Sequence, residues 1–120
     1  MKPNIRILHI RDAINRIEKA VKNAKYFDLS KNDVLLRAVV YDVMIIGEAS
    51  KNMPNDLKTN YADIPWKDIS GTRDKLVHDY FDIDVDIVWN IITHELPKLK
   101  NAINDYISKH PELKEIQKEL

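Results

Sequence analysis

Hydrophobic residues recur every three or four positions through most of the chain, a spacing that places them on one face of an α-helix. The first such segment covers residues 5 to about 24, and the second runs from residue 30 to about 53. Ser30 and Asp33 have the spacing of a helix-capping box, and Pro54 follows the last apolar position. The pattern therefore predicts two long helices in the first half of the chain.

The second half has the same periodicity but more interruptions. The polar stretch PNDLKTNYADIP, residues 54 to 65, is predicted to be a connection with one short helical turn. A third helix is predicted from Trp66 to Tyr80, with Gly71 as an irregularity inside it, and a fourth from about residue 85 to 108. The fourth is capped by Asp82 or Asp84, and Pro97 should kink or break it.

No segment alternates polar and apolar residues with a period of two, so no strand is predicted. The sequence predicts an all-α, four-helix up-and-down bundle. Residues 1–120 are assigned to a single domain, whose last dozen residues form a charged tail.

The second predicted helix has two apolar arcs. The first contains Leu35, Ala38, Val39, Ile46, Ala49 and Met53, and the second contains Leu36, Val40, Val43, Met44 and Gly47. So wide an apolar surface predicts packing inside the bundle and also against another subunit, as in a homodimer. Gly47 either marks a close backbone approach or is simply tolerated, and the sequence leaves both interpretations open.

Composition narrows the function classes. Basic and acidic residues number 19 each, so the net charge is zero and gives no general attraction for nucleic acid or an anionic membrane. The absence of cysteine excludes disulfides, thiolate metal sites and cysteine nucleophiles, and is typical of a reducing compartment. No stretch has the ~20 apolar residues of a membrane span. We therefore expect a soluble, cytoplasmic protein.

The segment GTRDKLVHDY, residues 71 to 80, carries the candidate chemistry. On a continuous helix, Arg73 and Tyr80 share the apolar arc, while Asp74 and His78 lie together on its flank, where Asp74 can orient the imidazole. Imidazole can move protons at a ribose hydroxyl while a guanidinium holds the phosphate, without a metal. A surface arginine and a satisfied structural histidine are the plainer interpretation.

The same residues resemble the motif of the HepT-like branch of the HEPN superfamily: Arg73, four residues, His78, one residue, Tyr80. The blocks RDAINRIEKA, IIGEASK, IPWKDISGTRDKLVHDYF and VWNIITHELPKL also resemble that family, in its order and over nearly the whole chain. The resemblance implies a homodimeric ribonuclease toxin of a type VII-like toxin–antitoxin pair. It implies cleavage of RNA in a cleft between subunits, without metal or cofactor, by Arg73 and His78 with Asp74 in support.

It further implies that a partner nucleotidyltransferase, the antitoxin, attaches AMP to Tyr80 and so silences the toxin. Two alternatives remain from the residues themselves. One is a non-catalytic helical module that scaffolds a nucleotidyltransferase or presents substrate to it, and the other is a plain dimerisation domain.

The remaining candidates are weaker. His94 and Glu95 begin like a zinc-protease helix, but no second histidine follows. His9 and His110 are predicted to be isolated and exposed, and IIGEASK lacks the glycine pair of a phosphate loop. Asp42 lies on an apolar helical face, which favours a structural pairing with an arginine or a tyrosine. The aromatic residues expected in the core or an interface are Tyr61, Trp66, Phe81, Trp89 and Tyr106.

Overall fold

The computed structural model describes residues 4–79 and 82–114. Most of them are helical, in agreement with the predicted all-α class. The α-helices are α1 Arg6–Ala20, α2 Tyr26–Lys31, α3 Asp33–Ser50, α4 Asn55–Asn60, α5 Trp66–Ser70, α6 Thr72–Leu76, α7 Val85–Asn90 and α8 Leu96–Ser108. Within the described ranges, no helix is both long enough and apolar enough to cross a membrane.

The pairing of α1 with α3 forms the centre of the core. Helix α1 buries one face completely, consisting of Ile7, Leu8, Ile10, Ala13, Ile14 and Ile17. Burial of each large aliphatic side chain favours folding by roughly 1.5–3 kcal/mol, so this stripe fixes α1 on α3. The helix ends at Ala20, earlier than predicted, because the chain turns there and Asn23 adopts a φ of 65°. Asparagine tolerates this left-handed conformation better than most residues.

The predicted start of the second helix is wrong. Ser30 lies inside the separate short helix α2, where its hydroxyl donates to the carbonyl oxygen of Phe27 at 3.0 Å. The cap of α3 is Asn32, whose side-chain oxygen accepts from the backbone N–H of Leu35 at 3.1 Å. An asparagine is as good an N-cap as a serine, so the sequence carried two competing start signals.

The second apolar arc of α3 does not await another subunit. Its members Leu36, Val40, Val43 and Gly47 are buried within the single chain. Helices α5 and α6 pack on α3, and Val43 lines a small apolar cavity there together with Ile69. The predicted use of this arc as a dimer contact is therefore wrong. A narrower set of apolar side chains remains exposed on the opposite side of α3.

The third predicted helix is also divided. It breaks at Gly71 into α5 and α6, as the glycine suggested, but it ends at Leu76 and not at Tyr80. Strand β1, Val77–Asp79, pairs antiparallel with β2, Asp82–Ile83, through the partners Val77 and Ile83 and an irregular register. The expectation that no strand forms is thus wrong, because two apolar residues too few to show an alternation pair across a tight reversal.

The last helical segment begins where the sequence predicted. Asp84 caps α7 by accepting from the backbone N–H of Ile87 at 3.2 Å. A π-helix, Ile91–Glu95, then separates α7 from α8, and the N–H of Leu96 bonds to the carbonyl of Ile91. The predicted break near Pro97 is confirmed, and Pro97 itself lies in the first turn of α8, where its missing N–H is tolerated.

Candidate functional site

The candidate residues lie on one helix-to-strand segment. The backbone of Arg73 and Asp74 belongs to α6, whereas that of His78 belongs to β1. The predicted helical spacing between Asp74 and His78 is therefore wrong, since no helix connects them. The side chains of these residues, and the whole of Tyr80, lie outside the described part of the structure. Their roles stay predictions.

The described residues show how this segment is held. Thr72, immediately before Arg73, is buried, and its hydroxyl donates to the carbonyl oxygens of Ile69 at 2.5 Å and Asp68 at 3.2 Å. Four residues on, Leu76 is fully buried. Helix α6 is thus anchored at both ends, with Arg73 and Asp74 between the anchors.

Gly47 provides the seat for that anchor. A Cβ at Gly47 would lie 3.1 Å from the carbonyl oxygen of Ile69 and 3.9 Å from the Cβ of Thr72. The first distance is shorter than a comfortable contact, so a glycine is needed for α3 to approach the α5–α6 turn this closely. Of the two interpretations left open for this glycine, close approach is confirmed.

A groove of about 390 Å³ runs beside α6. Carboxylates dominate its lining, which includes Asp68, Asp84, Asp86 and Glu95 with Thr72, Lys75 and Asn90. The ammonium of Lys75 lies 3.6 Å from the carboxylate of Asp68. The groove is consequently acidic and repels phosphate.

Sequence reasoning treated the aspartates of this region only as helix caps. The available signal was the run DIDVD at residues 82 to 86, in which every second residue is acidic. Tyr26 is part of the same surface, since its hydroxyl donates to Asp86 at 2.5 Å. That hydrogen bond, followed by desolvation, raises the pKa of Tyr26 above its usual value of 10.0.

Asp42 has the structural partner that its position predicted. Its carboxylate is buried, and the guanidinium of Arg16 on α1 donates to it through both Nε and Nη2 at 2.9 Å. The pair ties α1 to α3 and removes Asp42 from the list of catalytic candidates. The segment IIGEASK likewise lies in α3 and its C-terminal cap, as expected.

The histidines outside the motif are structural or exposed. His9 is exposed, and the Nδ1 atom of His94 lies 2.8 Å from the hydroxyl of Thr93. His110 is not isolated, contrary to the prediction: its ring stacks on Tyr106 at 3.8 Å, and its Nδ1 lies 2.8 Å from the Tyr106 carbonyl oxygen. Among residues 4–79 and 82–114, no three histidine or acidic side chains are grouped as metal ligands would be.

Three of the predicted core aromatics pack around one end of α8. Trp66 is buried and donates from its indole nitrogen to the Tyr61 carbonyl oxygen at 3.1 Å, while the hydroxyl of Tyr61 donates to Asp105. Tyr106 is buried and donates to Asp56 at 3.0 Å. Desolvation and then these hydrogen bonds raise the pKa of Tyr61 and of Tyr106 to about 12. Trp89 is partly buried, and Phe81 lies outside the described residues.

Comparison with known proteins identifies the class to which this fold and segment belong. The family model described as ribonuclease HepT-like matches residues 10–106, which include the whole candidate segment. The chain therefore belongs to the HepT-like ribonuclease family, as the sequence resemblance predicted.

Curated relatives agree with that assignment. A provisionally named RNase of Caldanaerobacter subterraneus subsp. tengcongensis is 38% identical over 101 residues, covering 84% of this chain and 90% of the relative. A protein of Thermococcus cleftensis named "Probable ribonuclease HepT" is 40% identical over 91 residues, covering 76% and 83% respectively. A provisionally named RNase of Methanocaldococcus jannaschii is 36% identical over 98 residues, covering 82% and 81%. No solved structure matches. Family and names together support a ribonuclease, with RNA as its substrate class.

Proposed function

We propose that this chain is the toxin of a type VII-like toxin–antitoxin pair, a metal-independent endoribonuclease that works in the cytoplasm as a homodimer. Its catalytic residues are Arg73 and His78, Asp74 orients the histidine, and Tyr80 is the site of inhibition. The observation that carries the proposal is the pattern of arginine, four residues, histidine, one residue and tyrosine inside a chain that the HepT-like model matches from 10 to 106.

The anchoring of α6 supports the assignment of Arg73. Because Thr72 and Leu76 are both buried, the backbone between them has a fixed position on the core. A side chain that must hold a phosphate in a defined orientation benefits from such a base, since small displacements reduce catalysis. An arginine can donate two parallel hydrogen bonds to the phosphate and neutralise the charge that builds on it.

The reaction follows from these groups. The neutral imidazole of one His78 takes the proton of a ribose 2′-hydroxyl, and the 2′-oxygen attacks the adjacent phosphorus. The bond from phosphorus to the 5′-oxygen breaks, and the 5′-oxygen receives a proton from the imidazolium of the second copy of His78. The products are a 2′,3′-cyclic phosphate and a 5′-hydroxyl. A homodimer supplies the base and the acid that one histidine cannot supply together.

Inhibition uses the neighbouring tyrosine. A cognate minimal nucleotidyltransferase transfers AMP from a nucleoside triphosphate to the Tyr80 hydroxyl and releases diphosphate. Because Tyr80 is two positions from His78, the added phosphate brings negative charge to the place where RNA must bind. The antitoxin is therefore the second partner, besides RNA.

The test is cleavage of a structured RNA by the purified full chain after treatment with a chelator. We expect 2′,3′-cyclic phosphate ends from the wild-type protein, and a loss of at least about a hundredfold in rate for Arg73→Ala and His78→Ala with unchanged helical content. Full activity of the His78→Ala protein would remove this residue from the mechanism. Activity that disappears with the chelator and returns with a divalent cation would contradict metal independence.

The acidic groove favours one second candidate. Four carboxylates beside α6 suit a basic protein surface better than RNA, as expected of a non-catalytic module that scaffolds a nucleotidyltransferase or presents substrate to it. The same assay separates the two functions. A protein that binds the nucleotidyltransferase but produces no cyclic phosphate is the scaffold, and one that cuts RNA alone is the toxin.

A further inference from the structure

One side of α3 exposes apolar side chains to solvent. Val34 is 72% exposed and Tyr41 is 67% exposed, and with the exposed Ala38 and the partly buried Ile45 they follow the spacing of a single helical face. At ~100° per residue the four lie within about 60° of one another. We call these four residues the outer face of α3. Large exposed side chains at helical spacing are a common mark of a protein-binding surface.

The outer face has a different shape at its two ends. At the N-terminal end Val34 protrudes. At the C-terminal end a groove of about 500 Å³ lies between the start of α1 and α3. Its lining includes the apolar Met44, Ile45 and Ala49, with Arg6 and Glu48 among its polar residues. A helix that carries both a projection and a recess is complementary to a reversed copy of itself.

The charges along one edge of this face have the same property. Asp33 and Arg37 form an ion pair of 2.9 Å near the N-terminal end, and Glu48 and Lys51 form one of 3.0 Å at the C-terminal end. All four are exposed, and at ~100° per residue they lie within about 60° on the same flank of the outer face.

A two-fold axis at the level of residues 41 to 43 reverses the second helix. It brings Arg37 level with the partner's Glu48, and Asp33 level with the partner's Lys51. Because a two-fold operation about this axis keeps each flank on its own side, opposite charges meet at both ends. The same operation brings the partner's Val34 to the groove.

We propose that the outer face of α3 binds a second copy of this chain, with the two α3 helices antiparallel. The inference deepens the homodimer of the proposed function by naming its surface, and it replaces the second apolar arc, which is buried within the chain. The partner is a second copy because the projection, the recess and the charge order are each matched by the same helix in reverse.

The test measures mass, so it does not depend on RNA cleavage. Dissociation constants of the full chain are measured by sedimentation equilibrium for the wild type, Arg37→Glu, Glu48→Arg and the double charge-swap variant. Lys98→Glu, at an exposed position of α8, is the control for the charge change itself. Each single reversal places like charges together twice per dimer and should weaken association about tenfold or more, whereas the double swap should restore it.

Both overturning outcomes are clear. A wild-type protein that stays monomeric over the whole concentration series, or a dimer whose stability ignores both single reversals, would remove the proposed interface and point to another partner or another face. Cleavage of RNA is recorded on the same samples. A dimer that responds as expected but cuts no RNA contradicts the ribonuclease proposal alone, and an active dimer that ignores the reversals contradicts the interface alone.

Discussion

Gly47 and the carbonyl oxygen of Ile69 are in direct backbone contact across the core, at a distance that leaves no room for a side chain. The position of a Cβ on Gly47 is 3.1 Å from that oxygen. The same oxygen accepts the hydroxyl of Thr72, the residue that precedes Arg73. One glycine on α3 thus sets how closely the candidate segment lies on the core.

Gly47→Ala should destabilise the protein. The added methyl group gains roughly 1 kcal/mol of helix propensity but overpacks a site where overpacking costs roughly 1–3 kcal/mol. We expect a net loss of about 1 kcal/mol, measured by urea unfolding. Displacement of the α5–α6 turn should also slow RNA cleavage more than it weakens RNA binding.

The matched control is Gly71→Ala, two positions from Arg73. A Cβ there meets nothing closer than 3.5 Å, and the backbone φ of −93° suits an L-residue. This variant should keep its stability and activity. If it is the more harmful of the two, closeness in sequence to the arginine matters and the contact across the core does not.

Arg16→Met should destabilise the protein because it leaves the buried carboxylate of Asp42 unpaired. The expected cost is about 1–3 kcal/mol. Replacing both partners, as in Arg16→Met with Asp42→Leu, should recover most of it, since an apolar pair needs no partner. Lys100→Met breaks the more exposed pair with Glu18 and should cost less than about 1 kcal/mol. Equal losses in Arg16→Met and Lys100→Met would contradict the structural role of the buried pair.

Stability should fall at alkaline pH between about 10 and 12. Tyr61 and Tyr106 have folded pKa values raised to about 12 from 10.0, so the folded chain keeps two protons that the unfolded chain releases in this window. The stabilisation is complete below pH 10 and is lost as the pH rises through 12. Urea midpoints with absorbance of tyrosinate report it. The double variant Tyr61→Phe/Tyr106→Phe should lose less stability across the same window.

Tyr80→Phe should resist the antitoxin. The variant lacks the hydroxyl that accepts AMP in the proposed mechanism, so co-expression with the nucleotidyltransferase should leave its mass unchanged and its RNA cleavage intact. The wild type should gain the mass of one or more adenylates. A Phe variant that still gains that mass would identify another acceptor.

The periodicity of apolar residues was enough to predict the main helices, because burial of one face dominates their energetics. The first helix, the long α3 and the last helical segment are all present. Asp84 was predicted correctly as a cap, and the pairing of Asp42 with an arginine followed from the cost of an unpaired buried carboxylate.

Features set by tertiary contacts were less visible in the sequence. Val77 and Ile83 pair across a reversal, yet each stands in a segment too short to show an alternation. The two arcs of α3 looked alike in the sequence, and only the placement of α5 and α6 decided that the second is internal. For the candidate site, the sequence gave the residue types, while the anchoring by Thr72 and Gly47 depends on the meeting of distant segments.

The π-helix at Ile91–Glu95 changes how the last third of the chain is compared with its relatives. Each bond of this turn spans one residue more than in an α-helix, so the phase of the helix shifts between Asn90 and Leu96. A single helical wheel drawn through residues 85 to 108 therefore assigns the wrong neighbours to one half. Alignments should allow a one-residue gap between 91 and 95, because a relative that lacks the bulge matches this chain on each side of it in a different frame.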